Sequence, residues 1–226
     1  MASTKTKTKL TKEQVSQAVK LFGEWFPEEN ENLKKHHDDI VRHILEGTEP
    51  KEGAPLLLQV HAKKAAAVAT ELSAEAVSLT PCQEAIGVFI ADVVFFILGL
   101  VGLHVSNQQR IARALIRELG GTTLNGFLRA IEAFNEAESA TAKAKALFTI
   151  FSQIFKAGGF KAVFKVLKDE MSFWEWIKTG IIAVAQITAW VATDGVAFIA
   201  EVALSIMSAT QMIQDGIKAV KTCKGS

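Results

Sequence analysis

Apolar positions recur at three- and four-residue spacing along most of the chain and nowhere alternate at period two between turn residues, so the pattern predicts an all-α protein. Thr11-x-x-Gln14 is a capping box opening a helix whose stripe is Val15, Ala18, Val19, Phe22, Trp25 and Phe26, and Pro27 ends it. A second helix over 28–46 places Leu33, His37, Ile40 and Ile44 on one side and stops at Gly47. Beyond the loop marked by Pro50, Gly53 and Pro55, a third helix is expected over 56–79. Thr80-Pro81-Cys82-Gln83 then joins an N-cap, a proline in the first helical position and a capping glutamine.

The helix that follows, 82–105, holds Asp92 as its one carboxylate over 85–105, with His104 as the other ionisable group. At about 1.5 Å per residue that stretch would just cross a hydrocarbon core about 30 Å thick. Val88, Phe89, Phe95 and Phe96 surround Asp92 at i±3 and i±4, so a partner for this buried carboxylate must come from another helix. Helices over 107–119 and 123–136 are separated by Gly120-Gly121. Residues 139–168 contain Lys143, Lys145, Lys156, Lys161, Lys165 and Lys168 and no acidic residue. Leu147, Ile150, Phe151, Ile154 and Phe155 form one apolar face there; after Gly158-Gly159, Phe160, Val163, Phe164 and Leu167 form another opposite the lysines. A basic amphipathic pair suits an anionic membrane surface, at about 1 kcal/mol per lysine, and equally suits a bundle helix with a basic outer face.

Ser172-x-x-Glu175 is a further capping box, and it opens the most apolar part of the sequence. From Thr179 to Gln214 only Asp194 and Glu201 are charged, and Thr193-Asp194-Gly195 interrupts the run, so the expectation is a hairpin of two long apolar helices. The first arm, with Trp190 near its end, is apolar nearly all round. In the second, Asp194, Glu201, Ser208 and Asp215 recur every seven residues and would share one narrow stripe of a continuous helix. A carboxylate at the middle of a lipid-exposed span costs about 2.5–3.5 kcal/mol, so Glu201 argues against a plain transmembrane hairpin. The stripe is either the wet edge of a buried helix or a surface facing water in an assembled pore.

Composition sharpens this picture in three places. All four prolines precede residue 82, and charge is denser there: 11 basic and 12 acidic side chains in 1–81 against 14 and 12 in the longer remainder. The expected organisation is a flexible basic tail over 1–10 and a single all-α domain over 11–226, with charged helices over 11–79 and an apolar part over 80–226. It should form a compact bundle of about nine or ten helices with the C-terminal hairpin central. Net charge +1 gives no case for nucleic acid, and two cysteines, Cys82 and Cys223, are too few for a disulfide framework, though one bridge is open to them. Met1 to Lys9 carry no apolar leader run, so synthesis in the cytoplasm is expected, with release to a target membrane by another route.

Chemistry finds little foothold. There is no phosphate-binding glycine loop, no nucleophile elbow and no paired Glu-x-x-His, so an enzyme is not expected, nor any cofactor. His36, Asp39 and His43 have the spacing to share a metal, but three such groups on one charged helix are more often solvated, and no metal is expected.

The leading expectation is a water-soluble protein that binds and permeabilises membranes, toxin-like and pore-forming. The basic segment docks, Phe160 and Phe164 line it, Trp174 and Trp176 sit at the interface, and the segment with Trp190, Asp194, Gly195, Glu201, Ser208 and Asp215 inserts, with homo-oligomers forming on an anionic bilayer. Protonating Asp92 and Glu201 would make entry cheaper, an acid trigger. The alternative is a soluble bundle that holds an apolar small molecule or a partner helix. In plan, an apolar hairpin wrapped by amphipathic helices is similar to the pore-forming domains of colicins; the likeness is of pattern alone, and the carboxylates depart from the nearly charge-free colicin hairpin.

Overall fold

In a computed structural model, residues 10–51, 53–58, 79–103 and 108–225 are described, and every regular element among them is helical. The α-helices are α1 (Lys12–Trp25), α2 (Pro27–Lys35), α3 (His37–Glu46), α4 (Pro55–Leu58), α5 (Pro81–Leu100), α6 (Gln108–Gly126), α7 (Leu128–Glu136), α8 (Ala140–Lys156), α9 (Gly159–Glu170), α10 (Phe173–Ala192), α11 (Val196–Val202) and α12 (Thr210–Lys224). A 3-10 turn covers Ile206–Ser208. The all-α class therefore holds, with more helices than the nine or ten expected. One of the extra divisions lies at His36, where the 28–46 helix becomes α2 and α3: its backbone leaves the helical region at φ −110° and ψ 19°. The basic tail up to residue 9, most of the third expected helix and His104 lie outside the described residues.

The starts of helices follow the capping chemistry in the sequence. Thr11 and Gln14 exchange side-chain to backbone hydrogen bonds at the head of α1, and Thr80 and Gln83 do the same at α5. At α10 the Ser172 hydroxyl accepts from the Glu175 N–H while the Glu175 carboxylate accepts from the Ser172 N–H. Thr80→Ala is expected to cost about 1 kcal/mol, read as a lower urea midpoint, because it strips the first turn of α5 of an acceptor.

Contacts divide the chain into two units, Met1–Val68 with Ser172–Ala189, and Ala69–Met171 with Trp190–Ser226. In the first, α1 packs on α2 and α3. Phe22 and Phe26 lie 4.8 and 4.9 Å from the Trp176 ring, and all three are buried. Gly180 makes room for this cluster: a Cβ there would stand 2.3 Å from the Phe22 ring.

In the second unit α5 is the common packing surface, against α6, α8 and α12; α6 packs on α9, and α7 on α8 and α12. Ile86, Phe89, Ile90, Val93, Val94, Ile97 and Leu98 of α5 are all buried. Gly87 lets Ile116 of α6 approach, since a Cβ would meet it at 2.5 Å. A second apolar centre joins α8 to the segment after α10. Phe151 and Phe198 stack at 5.2 Å, and Trp190 meets Phe198 edge-on at 5.2 Å.

The segment Thr179–Gln214 departs from the expected hairpin of two long helices. α10 is long, but at Thr193–Gly195 the helix axis turns by 112° into α11, which lasts seven residues. Gly195 sits at φ 79° against the Phe148 ring, a conformation and a closeness that a side chain would disturb. Past Val202 the helix gives way to a turn and the 3-10 segment. Ser205 and Ser208 direct their hydroxyls to the carbonyls of Val202 and Ser205, the local competition by which serine weakens helices. The seven-residue stripe is thereby dismantled: Asp194 lies in a turn, Glu201 on α11, Ser208 on the 3-10 turn and Asp215 on α12.

Candidate functional site

Two features of the second unit stand out chemically: the seam between α5 and α12, and an exposed apolar edge around α11. The helices of the seam run antiparallel, since Cys82 near the start of α5 is joined to Cys223 near the end of α12, with Cα atoms 4.6 Å apart. Farther along, a Cβ on Gly216 would lie 3.0 Å from the Phe89 ring. Next in the seam, Asp92 meets Asp215, and the partner that Asp92 required from another helix is a second carboxylate. Burial, then the hydrogen bond and the charge of Asp215, push the Asp92 carboxyl up to about 7. A hydrogen bond between two carboxyl groups needs a proton on one of them. Gln211 also donates to Asp215, at 2.6 Å, whereas Asp92 Oδ2 is buried and unpartnered. Beside Phe89, Asn135 of α7 donates to the Gly216 carbonyl at 2.8 Å, and farther along α12 Lys224 meets Glu132 of α7 at 3.1 Å.

The apolar edge consists of Val196, Leu204 and Met207, which are 70, 91 and 53 % exposed. Leu204 and Met207 lie at the serine-rich turn where the second arm of the hairpin was expected to continue as helix, and Val196 opens α11 at its other end, beside the Thr193–Gly195 bend. Burying Leu204 fully would gain about 2 kcal/mol, and the partly exposed Val196 and Met207 less in proportion.

The expected docking residues divide by helix face. Lys145, Lys156, Lys161 and Lys165 are exposed and Lys168 is half-buried, while Phe160 and Phe164 are fully buried beneath them. Lys143 departs from this row: it is buried, donates to the Phe134 carbonyl at 3.0 Å and stands 5.0 Å from that ring's centroid. Trp174 and Trp176 are buried as well, Trp174 edge-on to His43 and Trp176 against Phe22, so in this conformation neither ring meets solvent broadly. Trp190 is buried with an unpartnered indole N–H.

By length and composition α5 is the one described helix that would cross a membrane alone, but half of its apolar window is buried, as in a core helix; the bent pair α10 and α11 passes the same test together. The histidines act separately. His37 bridges Ser16 and Asp38, His43 contacts Thr48, and His36 is buried, and among the described residues no three potential ligands converge on a metal position. A groove of about 430 Å³ in the first unit is lined by Val19 and Leu33 together with Lys20, Glu24, Lys34 and His37, a mixed apolar and charged setting.

The sequence reading missed Cys82 and Cys223 as a pair, Asp215 as the partner of Asp92, and the edge at Leu204. Only the edge had a local signal, the two serines three residues apart. Comparison of the chain with family models, curated proteins and solved structures finds no match.

Proposed function

We propose that this is a water-soluble helical protein that binds and permeabilises anionic membranes. The observation carrying the reading is the apolar exposure around α11: Leu204 is 91 % exposed at the turn that ends it, Met207 lies in the same turn, and Val196 is exposed at its start. Entry of these side chains into the acyl boundary recovers the hydrophobic free energy that they forgo in water. Lys145, Lys156 and Lys161 are exposed in the same unit and add headgroup attraction. On the membrane the 112° bend between α10 and α11 closes into a hairpin carrying Trp190 inward. Several copies then assemble so that Glu201 and Ser208 face water rather than lipid. The disulfide supports a stage outside the reducing cytoplasm, where the bond forms, in keeping with release towards a target membrane.

Dye-loaded vesicles containing phosphatidylserine test the proposal. The protein is expected to release the dye, Leu204→Glu to lower release about tenfold without lowering thermal stability, and charge reversal of Lys145, Lys156 and Lys161 to weaken vesicle binding. An absence of leakage across neutral and anionic compositions would sink it.

A further inference from the structure

The seam between α5 and α12 is poorly furnished for two helices packed so extensively. Buried residues on α12 are Met212, Gly216 and Ala219, of which only the methionine carries much apolar surface. Asp92 and Asp215 meet within the seam, two like groups that repel when both are ionised. Besides α5, α12 is packed on α7, to which the Asn135 hydrogen bond to Gly216 and the partly exposed, water-screened Lys224–Glu132 pair hold it, so its release must also part it from α7. The strongest link is covalent, the Cys82–Cys223 bond, and both of its residues are partly exposed rather than enclosed in the core.

We propose that this disulfide is a redox latch on α12: a thiol reductant opens it, α12 leaves α5, and the membrane activity of the chain rises. The last clause rests on the function proposed above; the latch itself does not. In the exchange a reductant thiolate attacks one sulfur of the bond to give a mixed disulfide and releases the other as thiolate. A second thiol of the reductant then displaces the protein sulfur. Cys82 and Cys223 together gain two electrons and two protons, and the reductant is left as its own disulfide. Departure of α12 uncovers the side of α5 at Phe89, adding apolar surface to that already exposed around Leu204. Such a device stays shut where thiols are scarce and opens where they are abundant.

Hydrogen exchange on the intact protein at neutral pH, with and without dithiothreitol, reads the latch directly. On reduction, amides of 210–224 should exchange faster by a factor about tenfold larger than any gain in α8 or α9, the mark of local release. An equal gain in α8, α9 and α12, or no gain at all, overturns the latch and leaves the bond a plain structural staple. Cys82→Ser with Cys223→Ser should show the fast α12 exchange without reductant and no response to it; a response would overturn the assignment. In parallel, dye release from phosphatidylserine vesicles should increase several-fold on reduction. Fast α12 exchange with unchanged leakage keeps the latch and refutes its coupling to membranes, and leakage that is absent with or without reductant refutes the membrane function instead.

Discussion

Trp176→Ala is expected to cost the protein about 3–5 kcal/mol, the largest loss from any single substitution considered, seen as a fall in the urea midpoint with little change in slope. The indole is wholly buried and three phenylalanine rings surround it, Phe22 at 4.8 Å, Phe26 at 4.9 Å and Phe173 at 5.9 Å. Removing it deletes the transfer term of a large side chain and leaves a cavity that these rings can close only by leaving their own rotamers. Gly180→Ala provides the converse test, since the added methyl would press on the Phe22 ring at 2.3 Å. Overpacking of this kind should cost about 1–3 kcal/mol. If both variants unfold at the wild-type midpoint, Trp176 is not the anchor of the first unit. The result also bears on function, because a tryptophan with this much stability invested in the fold meets lipid only after its helix leaves Phe22 and Phe26.

What the sequence made legible was local. The capping boxes at Thr11, Thr80 and Ser172 form as written because each depends on residues three apart. Gly47, Gly158 and Gly195 take positive φ where breaks were expected, and Phe160 and Phe164 turn inward while Lys161 and Lys165 turn out. What stayed hidden depends on sequence-distant pairs. Nothing near Asp92 indicates that its partner is Asp215, because a carboxylate beside a carboxylate is the reverse of the pairing that charge patterns suggest. The Cys82–Cys223 pairing spans 141 residues and follows from the antiparallel run of α5 and α12, a property of the packed unit. The seven-residue stripe misled for a related reason. It assumed an unbroken helix from Asp194 to Asp215, whereas Ser205 and Ser208 bond to nearby carbonyls and end it. The same break exposes Leu204 and Met207, on which the membrane proposal largely stands.

The seam at Asp92 also fixes the sign of a pH response. Its carboxyl is raised from an ordinary 3.8 to about 7, so the folded state holds a proton that the unfolded chain gives up. The associated stability is fully present below about pH 4 and is lost as pH rises through about 7. Unscreened, that displacement would correspond to about 4 kcal/mol, and partial exposure of the site reduces it to about 2. Asp92→Asn keeps the shape, cannot ionise and can donate to Asp215, so its stability should pass that range without this loss. Urea midpoints should therefore coincide within about 0.5 kcal/mol near pH 4 and differ by about 2 kcal/mol in favour of the variant above pH 8. A variant less stable than wild type at both ends would show that the Asp92 carboxylate is not the source of strain in the seam. The direction bears on an acid trigger in two opposite ways, since a neutral Asp92 enters a membrane more cheaply while its proton also joins α12 to α5. Acid supplies the proton shared between Asp92 and Asp215, so this contact between α5 and α12 tightens on acidification and loosens as pH rises.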